Sequence, residues 1–192
     1  MPRRDNVVAL CGDINYLTLT LTSIECYQSN LRVRLTLTSY LFEIMTSQFE
    51  PRDPDFKARV KQSFAEQAIM QTIDAALAEV EPGYVEILLP YDRKLTQQDG
   101  FIHAGVSSTI MDSACGYAAF SLMPADARVL TIEFKINLLA PAAGKRFRAV
   151  GRVRKSGRSV SVAEAELYAE GDGEAKLVAT MSATLMTVYS NE

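Results

Sequence analysis

The segment from residue 103 to residue 123 limits the folds open to this chain more than any other feature. It contains no lysine or arginine and a single acid, Asp112, in the sequence HAGVSSTIMDSACGYAAFSLM. Its apolar and small residues recur at helical spacing, and a helix without a charged face has to be buried on nearly all sides. We therefore predict a helix from about residue 104 to residue 123, ended by Pro124, with a β-sheet wrapped around it.

Strand patterns surround this helix in the sequence. One short strand, residues 84–90, precedes it, and four runs joined by short turns follow it: residues 128–140, 145–155, 159–169 and 176–188. In the first of the four, one face is predicted to carry Leu130, Ile132, Phe134, Ile136 and Leu138, and the other Thr131, Glu133, Lys135 and Asn137. The order predicts an α+β domain with an antiparallel sheet of about five strands.

A second helix is predicted over residues 53–80. Asp53 can cap it, Pro54 suits its first position, and apolar residues recur at helical spacing up to Val80. The sequence Glu81-Pro82-Gly83 would end it. We expect an amphipathic helix packed on the core, at the N-terminal side of the domain.

Residues 1–44 differ from the rest of the chain. Alternating Leu and Thr in INYLTLTLTSI and LRVRLTLTSYLF predicts two strands, which could form a hairpin around residues 27–30. Met45 opens a segment that resembles a natural start of a polypeptide. We expect residues 1–44 to be an extension without function, and residues 45–192 to be a single domain.

Asp112 and His103 are the candidate chemical groups. A lone carboxylate in a buried helix is costly unless it is paired or functional, and burial raises its pKa toward the range of a general base. At the start of the helix, the N–H groups of Ala104 and Gly105 lack intrahelical partners and suit an oxyanion. Two simpler interpretations remain open, a structural Asp bonded to a nearby Ser or Thr and a His that only caps the helix.

The separation of these two groups predicts how they act together. His103 and Asp112 are nine residues apart, which is roughly 13 Å along a helix axis. They cannot act on one carbonyl group within one chain. Two antiparallel copies of the helix would bring the N-terminus of one beside Asp112 of the other, so we expect a homodimer with two shared active sites.

The charge distribution suggests a small anionic ligand or a solvated strand. The net charge is −3 and the pI about 5.3, so we expect no nucleic-acid partner. Seven basic residues and no acid lie between Gly144 and Arg158. Such a basic stripe suits a small polyanion, or it is an exposed strand face that resists aggregation; both interpretations remain open.

Other classes are disfavoured by the composition. The single His excludes zinc sites that need two histidines. Three cysteines without a CxxC motif indicate a reducing compartment and a cytoplasmic location. The longest charge-free run, residues 177–191, is too short and too rich in Ser and Thr to span a bilayer. GxSxG, GxGxxG and phosphate-loop motifs are absent, which argues against serine hydrolases, dinucleotide enzymes and nucleotide hydrolases.

Several of these segments together resemble one known family, the hotdog-fold acyl-CoA thioesterases of the phenylacetate-pathway (PaaI-like) type. The resemblance covers roughly residues 84–188. It is carried, in order, by Gly100-Phe101-Ile102-His103-Ala104-Gly105, Asp112-Ser113-Ala114, TIEFKIN at residues 131–137 with Pro141 and Gly144, and Lys155-Ser156-Gly157-Arg158.

The resemblance implies a sheet wrapped around a central helix, dimers that pair into tetramers, and hydrolysis of acyl-CoA without metal or cofactor. It implies that Asp112 is the general base or the nucleophile and that the N–H of Ala104 or Gly105, after His103, polarises the thioester carbonyl. In addition, it implies roles for five residues: Gln97 orients the thioester or the water, Thr131 helps to hold the water, and Lys155, Gly157 and Arg158 lie near the phosphates of CoA.

Three other interpretations are weighed against this one. A hotdog dehydratase or hydratase needs an Asp and His pattern that the sequence lacks. A non-catalytic protein that binds acyl-CoA or lipid would bind without turnover. A purely structural dimer would leave Asp112 and the uncharged helix unexplained.

Overall fold

A computed structural model describes residues 23–28, 31–36 and 49–189 of the chain. The chain divides into two compact units, Met1–Met45 and Thr46–Glu192. In the first unit, β1 (Ser23–Gln28) and β2 (Leu31–Thr36) pair antiparallel, so a hairpin is present where one was predicted. Its first strand shares only Ser23 and Ile24 with the Leu/Thr run and includes Tyr27 and Gln28, which were expected in the turn. The rest of the two Leu/Thr runs lies outside the described residues, and the absence of a function for residues 1–44 stays a prediction.

Over residues 49–189, the second unit contains one antiparallel sheet and three α-helices. Its sheet has six strands in the order β3-β4-β6-β7-β8-β5, rather than about five. The elements in chain order are α1 (Phe56–Glu66), α2 (Ala68–Thr72), β3 (Ala76–Glu81), β4 (Tyr84–Pro90), a short 3-10 turn (Arg93–Leu95), α3 (Ala104–Phe120), β5 (Ala127–Leu138), β6 (Arg146–Ser156), β7 (Val160–Glu170) and β8 (Lys176–Tyr189).

The uncharged helix α3 lies in the curve of the sheet, as predicted. It contacts five of the six strands, and every residue from Ser113 to Phe120 is buried. Close approach to β6 depends on Gly151, since a Cβ there would lie 2.3 Å from the carbonyl oxygen of Ala114. This wrapped helix is the hotdog arrangement that the resemblance implied. Of the helices described, none is long and apolar enough to span a bilayer.

The helix predicted over residues 53–80 is wrong in its second half. It breaks at Gln67, whose backbone is extended, and α2 ends before Asp74, which has a left-handed backbone with φ of 57°. Strand β3 follows and pairs with β4 across the turn Pro82-Gly83, where Gly83 has φ of 73°. A Pro followed by a Gly with positive φ is typical of a tight turn. This strand accounts for the sixth member of the sheet.

Helix α1 is fixed beside α3 by Arg59. The Arg59 guanidinium donates to the carbonyl oxygens of Phe120 at 3.2 Å and Met123 at 2.7 Å, near the C-terminal end of α3. Its Nε lies 2.7 Å from the carboxylate of Asp53, which is buried. A cation at this end of a helix also interacts favourably with the helix dipole. Asp53 therefore anchors Arg59, and its Oδ1 also accepts a hydrogen bond from the backbone N–H of Asp55, at 2.9 Å, in the turn before α1.

The two faces of β5 differ from the predicted alternation. Thr131 lies opposite Leu185 and Glu133 opposite Thr184, so Ile132 is an extra residue in a β-bulge. Residues directly opposite in an antiparallel pair share a face. Thr131 therefore points to the same side as the buried Leu185, toward α3, and shares this face with Phe134, which the simple alternation placed on the opposite face.

Candidate active site

Asp112 lies on α3 where the edge strand β5 passes over the helix. Its Oδ1 accepts a hydrogen bond from the Oγ1 of Thr131, with 2.8 Å between the two oxygens. The bulge at Ile132 places Thr131 for this contact, in keeping with the tendency of bulges to redirect a side chain near a functional site. A carboxylate with one hydroxyl donor retains several lone pairs for a further partner such as water.

Burial dominates the electrostatics of this carboxyl. Asp112 is half-buried, and the loss of solvent raises its pKa above the ordinary value, while the hydrogen bond from Thr131 lowers the pKa again in part. A raised pKa makes the carboxylate a stronger proton acceptor than one in open water. The geometry thus combines the desolvation expected of a general base with the bond to a Thr expected of a structural Asp.

A cavity of about 330 Å³ adjoins Asp112 between α1 and α3. Glycine at position 116 and Val129 supply its less polar surface. The remaining lining is polar and comes from both helices and from β5: Ser63, Glu66, Gln67, Asp112, Ser113, Tyr117 and Thr131. The contribution of α1 was missed in the sequence because its spacing indicated only packing against a core.

The N-terminal end of α3 holds a different set of groups. The Nδ1 of His103 accepts a hydrogen bond from the N–H of Gly105 at 2.9 Å, so His103 caps the helix. An imidazole nitrogen that accepts a hydrogen bond carries no proton, which places the ring proton on Nε2 in the neutral ring. Within the described ranges, no acceptor takes the N–H of Ala104. Of the two amides predicted for the oxyanion site, Ala104 is therefore the one left open.

Gln97 lies beside this end of the helix. It lines a second cavity, of about 530 Å³, together with Ala104 and mostly apolar residues of β5, β7 and β8. Its side-chain oxygen accepts a hydrogen bond from the backbone N–H of Asp99, and its Nε2 lies 3.4 Å from the Asp99 carboxylate. The oxygen is thus engaged, and the amide N–H groups are the part of Gln97 that a ligand could reach.

The predicted residues fall into two groups within one chain. Asp112 and Thr131 line the cavity beside α1, whereas Gln97 and Ala104 line the cavity at the N-terminus of α3, and the two cavities share no lining residue. This separation agrees with the distance expected along the helix. Within one chain the predicted residues therefore lie in two separate cavities.

Most of the basic stripe is neutralised by acids on neighbouring strands or in the turn after β7. Its first five members each form an ion pair: Lys145 with Asp172, Arg146 and Arg148 with Glu170, Arg152 with Glu166, and Arg154 with Glu164. The hydrogen bond from Arg148, aided by Arg146, holds the pKa of Glu170 below its usual value. The interpretation as an exposed strand face therefore fits this part of the stripe.

Lys155 and Arg158 differ from the other five. Both are exposed, and neither has an ion-pair partner among the residues that the structure describes. They flank Gly157 in the turn between β6 and β7, where a Cβ would lie 2.2 Å from the carbonyl oxygen of Val160. The unpaired positive charge of this stripe thus lies at the end of β6 and in the turn that follows, the region that the resemblance assigned to CoA.

Other candidate groups are limited. Within residues 49–189 and the two described strands, no three His, Cys, Asp or Glu side chains are placed to bind a metal ion. Cys115, three positions after Asp112, is a fully buried free thiol, and burial raises its pKa. A protonated, inaccessible thiol is a poor nucleophile.

Comparisons with known proteins agree with this fold. The model of the family described as "Thioesterase superfamily" matches residues 99–176. A solved thioesterase family protein from Silicibacter pomeroyi is 53% identical, with a TM-score of 0.69 over 70% of this chain and 99% of that one. An inferred esterase from Saccharolobus solfataricus is 31% identical over 55% of this chain and 74% of its own length. The PaaI protein of E. coli, at 17% identity, shares the fold with a TM-score of 0.63, over 71% of this chain and 96% of that one.

Proposed function

Because the chain belongs to the hotdog-fold thioesterase superfamily, we propose that it hydrolyses acyl-CoA thioesters to the free acid and CoA at a site shared by two copies of the chain. Membership makes it a hydrolase of the thioesterase type. The single observation that carries the proposal is the half-buried Asp112 carboxylate, bonded to Thr131 and open to a cavity.

Asp112 acts as the general base. It accepts a proton from a water molecule while the water oxygen forms a bond to the thioester carbonyl carbon. The C–S bond then breaks, and the proton held by Asp112 passes to the departing sulfur of CoA. Thr131 keeps the carboxylate in one orientation during this transfer. A thioester is already activated, so a base and an oxyanion site suffice.

The oxyanion is stabilised by the N-terminus of α3 in the partner subunit. The open N–H of the partner's Ala104 faces the developing charge, with the helix dipole in the favourable direction. His103 holds the first turn in shape through its bond to Gly105. The N–H groups of Gln97 orient the thioester. In this scheme His103 and Gln97 are positioning residues, and Ala104 is the donor.

Strand β5 supports a shared site. It is an edge strand whose apolar residues lie exposed in the single chain: Leu130, Ile132, Phe134 and Leu138 are 45–59% exposed. A long apolar edge strand is an aggregation hazard unless another chain covers it. Pairing of two β5 strands about a two-fold axis would cover this edge and align two copies of α3 antiparallel. The proposal also includes the tetramer that the resemblance implied. It further includes a cytoplasmic location.

The phosphates of CoA bind at the turn between β6 and β7. Lys155 and Arg158 supply the positive charge, and Gly157 allows the tight turn that holds them close together, since a Cβ there would collide with the carbonyl oxygen of Val160. Other members of the basic stripe already have carboxylate partners. CoA is part of the substrate, and the proposal includes no metal or separate cofactor.

The direct test is release of free thiol from acyl-CoAs of graded length, including aromatic ones. Hydrolysis of at least part of this panel is expected, with kcat lowered about a thousandfold or more when Asp112 is replaced by Asn. Asp126→Asn, a change of an exposed acid on the loop before β5, is the matched control. Tight binding of CoA esters without turnover across the panel would instead favour the non-catalytic acyl-CoA-binding protein.

A further inference from the structure

The cavity beside Asp112 includes empty space next to Gly116. This residue lies four positions after Asp112 on α3, about 6 Å farther along the helix axis. A Cβ added to Gly116 would meet no atom within 4 Å outside the neighbouring helical turns, although the residue itself is buried. The molecule therefore leaves room for a ligand between α3 and α1, directly beyond the carboxylate.

Two hydroxyl groups line the side of this cavity that is far from Asp112. The Oγ of Ser63 on α1 and the phenol oxygen of Tyr117 on α3 are 3.4 Å apart. That distance is at the long end for a hydrogen bond between hydroxyls, so both groups retain capacity for a better partner. The ring of Tyr117 is fixed between Phe64 and Phe120, at centroid distances of 5.7 and 6.3 Å. Burial raises the pKa of Tyr117, which keeps the phenol a hydrogen-bond donor.

The polar groups along the walls favour a neutral ligand that offers oxygen acceptors. The Oε1 of Gln67 accepts a bond from Ser113 at 3.4 Å, while within the described part of the chain its Nε2 has no acceptor. Two carboxylates, Glu66 and Asp112, also line the cavity. Like charges in a partly desolvated space repel, so a ligand with its own carboxylate is disfavoured.

We propose that this cavity is the acyl subsite and that Gly116, Ser63 and Tyr117 select acyl groups of intermediate length with a neutral hydroxyl or carbonyl oxygen at the far end. The inference rests on the proposed hydrolysis of acyl-CoA. Asp112 and Tyr117 are five residues apart, about 7.5 Å along the axis. An extended chain of about six carbons covers this distance, since each C–C bond of about 1.5 Å advances it by somewhat less.

The hydroxyl pair is tested by binding to the Asp112→Asn protein, which keeps the cavity but lacks the base. Calorimetry should show that ω-hydroxyhexanoyl-CoA binds about tenfold more tightly than hexanoyl-CoA, as one additional hydrogen bond allows. Ser63→Ala combined with Tyr117→Phe should reduce this ratio to below about twofold. Tyr168→Phe, on the outer face of the sheet, is the matched control and should leave the ratio unchanged. Equal affinities in the parent protein, or a ratio that survives the double change, would overturn the proposal.

The role of Gly116 is tested by measuring rates of acyl-CoA hydrolysis. Gly116→Leu should lower the ratio of kcat/KM for hexanoyl-CoA over acetyl-CoA by about tenfold or more, because the added side-chain atoms fill the part of the cavity that is far from Asp112. Gly116→Ala should have an intermediate effect. Gly171→Leu, in the exposed turn after β7, is the control. The unmodified protein should also act on adipoyl-CoA more slowly than on hexanoyl-CoA. An unchanged acyl-length ratio in Gly116→Leu would contradict the subsite while the proposed hydrolysis stands. Failure to hydrolyse any ester would refute the proposed function, and the binding ratio would still decide whether the cavity is selective.

Discussion

The hydroxyl of Thr131 on the edge strand β5 donates a 2.8 Å hydrogen bond to the carboxylate of Asp112 on the central helix α3. The contact exists because Ile132 is an extra residue in the strand, which turns Thr131 toward the helix. It couples the candidate base to the strand that carries the exposed apolar edge. The position of the candidate base and the proposed pairing of two chains thus depend on the same element.

Replacing Asp112 by Asn should stabilise the protein at neutral pH. Burial raises the pKa of Asp112 in the folded state above its unfolded value, so ionisation of this carboxyl costs folding free energy at any pH above the folded-state pKa. Asn is neutral and can still accept the bond from Thr131. The melting temperature of the variant should exceed that of the parent near neutral pH.

The raised pKa of Asp112 also determines how the stability gained by Asp112→Asn depends on pH. Below the unfolded pKa of an Asp, about 3.9, the carboxyl is protonated in both states, and the penalty is absent. The gain of Asp112→Asn should therefore shrink as the pH falls through the folded-state pKa. If the stability gained by Asp112→Asn grew toward acid pH, the fold would favour the ionised carboxylate of Asp112 instead of disfavouring it.

Replacing Thr131 by Val should move the acid limb of the pH–rate profile to higher pH. The Thr131 hydroxyl lowers the pKa of Asp112 by bonding to its ionised form, so its loss raises that pKa further. A base works only when it is deprotonated, so kcat/KM will start to fall at a higher pH than in the parent. Thr184→Val, on the outer face of β8, removes a comparable hydroxyl and should leave the profile in place.

The parts of this fold that local pattern determines could be predicted from the sequence. The lack of charge in α3 predicted a buried helix, and the alternating runs predicted β4, β6, β7 and β8 within one or two residues. Each of these segments has one pattern that fits only one kind of element. Asp112 could be identified as a candidate because it is the single acid of this uncharged segment. The residues near the start of α3 could be identified because they lie where a helix begins.

The errors arose where two structures fit one pattern. Leu77 and Val80 have helical spacing but lie in β3, because the chain reverses at Asp74 and pairing with β4 then determines the structure. The bulge at Ile132 leaves no mark on the alternation and depends on pairing with β8. Similarly, Ser63 meets Tyr117 only through the packing of α1 on α3, which sequence spacing does not encode.

Replacing Ala104 by Pro should remove the oxyanion donor without unfolding the helix. Proline is well tolerated at the first helical position, and the extended backbone of His103 (φ −62°, ψ 140°) is what a residue before proline requires. No described acceptor takes this N–H, so no hydrogen bond within the described chain is lost. We expect kcat to fall about a hundredfold to a thousandfold, as for the loss of one oxyanion donor. Circular dichroism should be unchanged, and Ala104→Ser, which keeps the N–H, should retain activity.

Replacing both Lys155 and Arg158 by Ala should weaken binding of the CoA moiety. These side chains carry the unpaired charge at the β6–β7 turn, so KM should rise for every acyl-CoA alike, while kcat changes little. The increase should be larger at low salt, because exposed charges are screened by ions. Arg154→Ala is the control, since Arg154 is engaged with Glu164 at 2.6 Å. A rise in KM that depends on the acyl group would place these residues elsewhere in the substrate.

Mixing two inactive variants should restore activity if the site is shared between subunits. A dimer with Asp112→Ala in one chain and Ala104→Pro in the other contains one site with both defects and one with neither. Random exchange places half of the subunits in such mixed dimers, so about a quarter of the parent activity is expected after mixing and equilibration. Exchange should be verified by mass spectrometry of the intact dimers. If exchange is complete and the mixture stays as inactive as its components, each chain must carry both half-sites itself, contrary to the separation of the two cavities along α3.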